Sequence, residues 1–179
     1  MYEVEVGSAL KSLIEEVIAL KKKDDIAGIL SLLNKMTINP DDIIDAMPDF
    51  DCDEALLYVD DDVTAYYIAT TPKILYPPHE HGMVAIIVLY KGTETQVFYD
   101  REGDNVVERS KVKFEAPSVI DMAADTVHAI CTDDDEPNEG IHIYLGNLEV
   151  QKRTLWDISG YNPRQYETQD YLNSSRKFS

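Results

Sequence analysis

The sequence predicts a mostly β protein, a barrel or sandwich of short strands behind an N-terminal helical cap. Three observations predict it. Apolar residues recur at helical spacing over the first 45 or so residues. From about Glu54 the pattern changes to short β-rich runs, broken at near-regular intervals by turn residues. Within that second region, His79 and His81 stand at i, i+2, a spacing that places both side chains on one face of a strand. The expected organisation is a helical segment over residues 1–50 packed on a barrel over residues 51–158, with an extension over residues 159–179.

The helices come first. Ser8 is expected to cap a helix that carries Leu10, Leu13, Ile14, Val17, Ile18 and Leu20. The run Lys21-Lys22-Lys23 suits the negative end of that helix's dipole. Asp24 and Asp25 open a second helix with Ile26, Ile29, Leu30, Leu32 and Leu33 on its apolar face. Pro40 in the first turn, followed by Asp41 and Asp42, starts a short third one.

The strands are expected near residues 54–59, 63–71, 82–90, 94–100, 106–114, 118–122, 126–132, 141–145 and 149–156. The breaks between them are rich in Asp, Gly and Asn, as at 60–62, 91–93, 101–105 and 133–140. Many short strands at such spacing indicate an all-β sandwich or barrel. The polar tail from Ser159, rich in Asn, Gln, Ser and Tyr, either wraps the barrel or lies loose.

Composition narrows the partners. The chain has 34 acidic and 16 basic residues among 179, a formal net charge of -18. Such a surface repels phosphate backbones and anionic lipid, so neither nucleic acid nor a membrane is an expected partner. No apolar run approaches the roughly 20 residues of a membrane span. The N-terminus lacks the basic and apolar regions of a secretory signal. Two cysteines, Cys52 and Cys131, do not make a disulfide framework, and a reduced cytoplasmic setting is expected. The alternating acids at Asp49, Asp51 and Asp53 lack the glycine and distant glutamate of a calcium loop and read as a solvated turn.

The chemistry concentrates on the four histidines, all between positions 79 and 142. His79 and His81 supply two imidazoles from one stretch, and His128 is the natural third from a later strand. Three neutral imidazoles leave a divalent metal its full charge and open positions for a small anionic ligand and dioxygen. Cys131, three residues beyond His128, falls on the opposite face of the same strand and is not expected to be a ligand.

The pattern resembles the cupins, whose fold is a double-stranded β-helix, or jelly-roll, barrel. Their first motif carries His-x-His, an acidic ligand four or five residues on, and then a glycine. His79, His81 and Gly92 match, whereas the acidic position falls on Ala85 or Ile86, neither of which binds metal. Of the second motif, Pro-x-Gly-x-x-His, only His128 stands, with Ala123 and Asp125 at the proline and glycine positions. Loss of the acid resembles the thiol dioxygenases, the cysteine dioxygenase and 3-mercaptopropionate dioxygenase family. That family carries a Ser-x-His-x-Tyr segment beside the iron. Gly140-Ile141-His142-Ile143-Tyr144 matches its histidine and tyrosine, with glycine in place of serine.

The resemblance spans roughly residues 54–157 and implies a non-haem iron(II) enzyme that oxidises a small thiol to its sulfinate with dioxygen. It implies His79, His81 and His128 as metal ligands, and Tyr144, oriented by His142, as the residue that positions substrate or oxygen. Zinc, nickel or manganese suits the same ligands, in an isomerase or a carbon-cleaving dioxygenase. A non-catalytic small-ligand-binding cupin is the remaining alternative. No cysteine lies near Ala85, so no Cys–Tyr cross-link is expected. The family's substrate-carboxylate arginine or glutamine, about 26 residues before His-x-His, is absent from residues 53–59. Arg101 and Arg153 are candidates to substitute from elsewhere but read as surface residues, which leaves a thiol without a carboxylate, or a substrate that is not a thiol, as the expectation. By the same resemblance the chain is expected to form a homodimer.

Overall fold

The computed structural model describes residues 1–177. Three helices open the chain: α1 (Ser8–Lys21), α2 (Ile26–Met36) and α3 (Asp41–Ile44). Ser8 is the first residue of α1 rather than its cap. Gly7, which has no side chain to cap with, takes the N-cap position, and its backbone N–H donates to the Ala46 carbonyl at 2.8 Å. A side chain there would press on Ala46. Asp25 does cap α2, accepting a hydrogen bond from the Gly28 N–H at 2.8 Å. Pro40 is the N-cap of α3, one position outside its first turn.

The strands are β1 (Glu54–Val59), β2 (Thr64–Thr70), β3 (Ile74–Leu75), β4 (His79–Glu80), β5 (Ala85–Lys91), β6 (Thr93–Glu102), β7 (Asn105–Glu115), β8 (Ser118–Met122), β9 (Val127–Cys131), β10 (Asn138–Tyr144), β11 (Thr154–Leu155), β12 (Arg164–Gln165) and β13 (Arg176–Lys177), with helix α4 (Thr168–Ser174) before the last. One antiparallel sheet runs β1-β2-β10-β5-β8. In the other, β4 and β9 pair, β9 pairs with β6, and β6 pairs with β7. The four-strand orders β2-β10-β5-β8 and β4-β9-β6-β7 are those of a jelly roll, the double-stranded β-helix.

Several boundaries differ from the expectation, for local reasons. The strand expected at 82–90 begins at Ala85, because Gly82 takes a positive φ of 67° and turns the chain. β6 and β7 extend through most of the break expected at 101–105, since Gly103 (φ 64°) and Asp104 suffice for the hairpin. β10 starts at Asn138, inside the break expected over 133–140. Of the strand expected over 149–156, only Thr154–Leu155 pairs.

The alternation of β5 and β10 decides what the site receives. Ile86, Val88, Ile141 and Ile143 join Leu10, Ile14, Val17, Ile29 and Leu33 in one buried cluster beneath the helices. Ala85, Ile87 and Tyr144 belong to a second cluster inside the barrel. β5 therefore reads as a continuous apolar run, because both of its faces are covered. The helical layer commits Ile141 and Ile143 to the outside, and that turns His142 and Tyr144 inward.

The tail wraps the barrel. β12 pairs with β11, β13 pairs with β3, and α4 lies between them. The turn leading into this segment depends on Gly160, whose φ is 84° and whose carbonyl accepts the Val106 N–H at 2.9 Å. A Cβ on Gly160 would lie 2.1 Å from the Val106 carbonyl oxygen. Gly160→Ala should therefore destabilise the protein by about 2 kcal/mol or more, combining left-handed strain with the clash. Thermal unfolding measures this; an unchanged midpoint would mean that the tail detaches freely.

Candidate metal centre

Each histidine owes its position to a short backbone device. Pro77 and Pro78 hold the chain extended into β4, where His79 lies directly across from His128 on β9. Glu80 points outward, accepting from the Thr154 N–H at 3.2 Å and pairing with Arg101. His81 follows β4 and precedes the Gly82 turn, so it is not a strand residue as its spacing predicts. It nevertheless returns to the face of His79, with ring centroids 5.0 Å apart. The His79 and His128 rings are 4.5 Å apart, and those of His81 and His128 are 5.0 Å apart.

One nitrogen from each of the three rings lies within 4.8 Å of the others. The closest approach is His81 Nε2 to His128 Nε2, at 2.9 Å. His79 Nδ1 donates to the Pro77 carbonyl at 3.1 Å, which leaves its Nε2 lone pair free. His128 Nδ1 is 2.6 Å from Gln96 Oε1. Since that oxygen only accepts, the His128 proton sits on Nδ1 and its Nε2 is likewise free.

Burial sets the charge state. Desolvation pulls His79 down to about 4, and it pulls His81 and His128 well below the usual imidazole range, with repulsion from neighbouring histidines adding to it. The three rings are therefore neutral at pH 7, the state in which imidazole binds a metal. Neutral rings whose facing nitrogens can share at most one proton fit a cation between them. His81 Nδ1 is buried without a hydrogen-bond partner, consistent with a ring placed by its other nitrogen. Ala85, at the position where cupins carry an acid, is buried across from Tyr144 and Met122. The cluster thus includes no carboxylate among the described residues.

The fourth histidine and the tyrosine enter the same space. The Tyr144 ring is 4.8 Å from that of His81, and its hydroxyl is 3.5 Å from His142 Nδ1, a long hydrogen bond. Burial drops His142 to about 3 and raises the Tyr144 phenol above its ordinary range, so both are neutral. Cys131 does not line this cavity, in contrast to His128 and Ile130 of the same strand, and its buried thiol is raised to about 11.

The cavity encloses about 530 Å³, a size typical of ligand pockets. Its walls include Tyr66, Tyr76, Tyr166 and Tyr171, with Asp53, Glu54 and Glu149 exposed at the rim. The tail builds one wall: the Tyr171 ring of α4 meets that of His79 edge to face at 5.0 Å, and it stacks on Tyr76 at 5.3 Å. Arg153 is not the surface residue its sequence context predicts. It is half-buried on the cavity wall, with its guanidinium carbon 3.7 Å from the centre of the Tyr166 ring. It forms no ion pair among the described residues. Arg101 does lie at the surface, paired with Glu80 and stacked over Trp156.

Sequence reasoning placed Arg153 at the surface and missed Tyr166 and Tyr171, whose places depend on how the tail returns. It also missed Glu94 and Gln96, both wholly buried in β6. A signal for this pair was present. Two long polar residues at i, i+2 inside a barrel strand share one face, and if that face is inward each needs a buried partner. Burial pushes the Glu94 carboxyl up to about 7, against hydrogen bonds from Gln96 and Asn138 that lower it.

No family model matches the chain, and no curated protein matches it. Solved structures resemble it in fold. An RmlC-like cupin family protein from Methanocaldococcus jannaschii aligns with a TM-score of 0.46 at 12% identity, over 57% of this chain and 90% of that one. DMSP lyase from Ruegeria pomeroyi aligns at 0.44 and 18%, over 55% of this chain and 48% of the lyase. A variant oxalate decarboxylase from Bacillus subtilis aligns at 0.42 and 12%, over 52% of this chain and 24% of the decarboxylase. The strand order and the site together define a double-stranded β-helix barrel with three buried histidines at one cavity. Among the described residues no helix is long and apolar enough to cross a membrane.

Proposed function

We propose that this chain is a non-haem iron(II) enzyme of the thiol-dioxygenase type, which converts a small thiol and dioxygen into the sulfinate. The observation that carries this reading is the convergence of three neutral imidazoles, with no carboxylate, on a cavity that Tyr144 also enters. His79, His81 and His128 would hold the metal. When bound, iron(II) supplies the redox chemistry between dioxygen and sulfur. Both atoms of dioxygen end on sulfur, so the reaction balances without an external reductant.

The chain's own groups do the rest. The phenol of Tyr144 stays protonated and offers one O–H to the reacting oxygen or to the substrate. With its proton on Nδ1, His142 donates to the phenol oxygen, limits its rotation and leaves the O–H free for that contact. Tyr166 and Tyr171, brought in by the tail, cover the His79 side of the cavity. Arg153, stacked on Tyr166 and without a direct ion pair among the described residues, presents a guanidinium whose planar fork matches a carboxylate. That favours a thiol that carries a carboxylate, while the rim acids suit an amine on the same molecule.

The test is anaerobic purification with metal analysis, then oxygen uptake with 3-mercaptopropionate, cysteine and 2-aminoethanethiol. Stoichiometric iron and thiol-dependent uptake are expected. Fully active protein without iron would sink the reading. Arg153→Gln should raise KM for the two carboxylate thiols roughly 10- to 100-fold, the worth of a charge-assisted hydrogen bond, and leave 2-aminoethanethiol unaffected. Equal effects on all three thiols would remove Arg153 from substrate recognition.

A further inference from the structure

We infer that Glu94 is a positioning residue for the metal centre, acting on the ligand His128 through Gln96. The inference rests on the three-histidine metal reading. Glu94 and Gln96 stand at i, i+2 on β6, with Gln96 across from Ile130 on β9 and Phe98 across from His128. Among the described residues, Glu94 is the one fully buried carboxyl group. A buried carboxyl is costly to keep, and nothing in the proposed chemistry at the cavity uses this one directly.

Its role follows from the direction of the hydrogen bonds. Gln96 is an amide, and either end can face His128. If its NH₂ faced the ring, Nδ1 would have to accept and the ring proton would move to Nε2. That would block the nitrogen needed for a metal. The observed arrangement is the productive one, with Gln96 Oε1 at 2.6 Å from His128 Nδ1. Glu94 maintains it from the other side, because its Oε1 accepts from Gln96 Nε2 at 2.6 Å. Both Glu94 oxygens accept in this arrangement, Oε1 from Gln96 and Oε2 from Asn138, so the NH₂ end of Gln96 is turned to Glu94 and its carbonyl end to the histidine.

Glu94 is itself anchored by backbone. Its Oε2 accepts from Asn138 Nδ2 at 3.2 Å. Asn138 cannot flip, since its Nδ2 also donates to the Thr93 carbonyl and its Oδ1 accepts from the Thr70 N–H, each at 3.0 Å. Donor and acceptor sense therefore passes from two fixed peptide groups through Asn138, Glu94 and Gln96 to the nitrogen that faces the metal position. The relay spans four strands: Thr70 is on β2, Asn138 on β10, Glu94 and Gln96 on β6, and His128 on β9.

The test uses the full chain and cobalt(II) alone as probe. Affinity is measured by chelator competition, the site by the visible spectrum of the cobalt form, and folding by thermal unfolding of metal-free protein. Glu94→Gln places a second amide against Gln96 and Asn138, so one of the three must present the wrong end. Cobalt affinity should fall about 10- to 100-fold with a shifted visible band, as for loss of an outer partner of a ligating histidine. Glu94→Asp, which keeps the two carboxyl oxygens, should recover part of both. Should Glu94→Gln fail to fold, Gln96→Met tests the same relay and should show the same loss. Wild-type affinity and spectrum in the Glu94→Gln or Gln96→Met protein would overturn the inference, as would equal losses in the Gln and Asp variants. A wild-type protein that binds no cobalt would instead bring down the metal reading itself.

Discussion

His128→Ala should purify without metal and without activity. In the proposed reading His128 is one of only three ligands, and among the described residues the cluster holds no carboxylate to replace it. The loss in metal affinity should exceed the roughly 10- to 100-fold typical of outer partners of a ligating histidine. Metal content by elemental analysis and oxygen uptake by electrode check it. A full metal complement in the variant would mean that the third ligand is misassigned. The metal-free variant also leaves Gln96 Oε1 unpaired in the core, at a cost of about 1–3 kcal/mol, so its thermal midpoint should fall as well. Measuring the metal-free wild type beside it separates that structural cost from metal loss.

Tyr144→Phe should keep its metal and turn over roughly 10- to 100-fold more slowly, the range expected when a hydrogen bond of about 1.5–3 kcal/mol to a charged or charging group is lost. Phenylalanine preserves the packing of this side chain, including its edge contact with Tyr66 at 6.3 Å. The variant therefore removes the hydroxyl and little else. Unchanged turnover would reduce Tyr144 to a wall residue. His142→Ala should have a smaller effect, because its contact with the Tyr144 hydroxyl is long, 3.5 Å, and orients without touching the reacting atoms.

Much of the candidate centre was legible because its residues carry local signatures. His79 and His81 are adjacent in sequence, and the Pro-Pro before them and Gly82 after them force the short extended segment that points both inward. His142 and Tyr144 follow from strand alternation once Ile141 and Ile143 are assigned to the helix-covered face. The expectation that His79 and His81 share one strand was incomplete. The paired segment ends at Glu80, and His81 reaches the same face through the turn at Gly82.

What was not legible depends on long-range closure. Arg153 reads as a surface residue because its neighbours Gln151 and Lys152 are polar. It turns inward only because β12 returns alongside β11 and brings Tyr166 against it. Tyr171 reads as part of a polar tail, yet α4 carries it onto His79. The tail's two outcomes, wrapped or loose, could not be separated by pattern, since β12 and β13 are only two residues long and have no periodicity of their own.

The sequence by itself determined the fold class, the helical cap and the three-histidine candidate, since each rests on spacing along a few residues or on one residue's chemistry. Ala85 in place of an acid is equally a local fact. The cavity wall and the orientation of the candidate ligand rings come from tertiary packing. Arg153, Tyr171 and the Glu94–Gln96 relay are contacts between segments far apart in the chain. Their geometry is set by strand pairing and by burial of polar groups that must find partners, and neither leaves a periodic trace in the sequence.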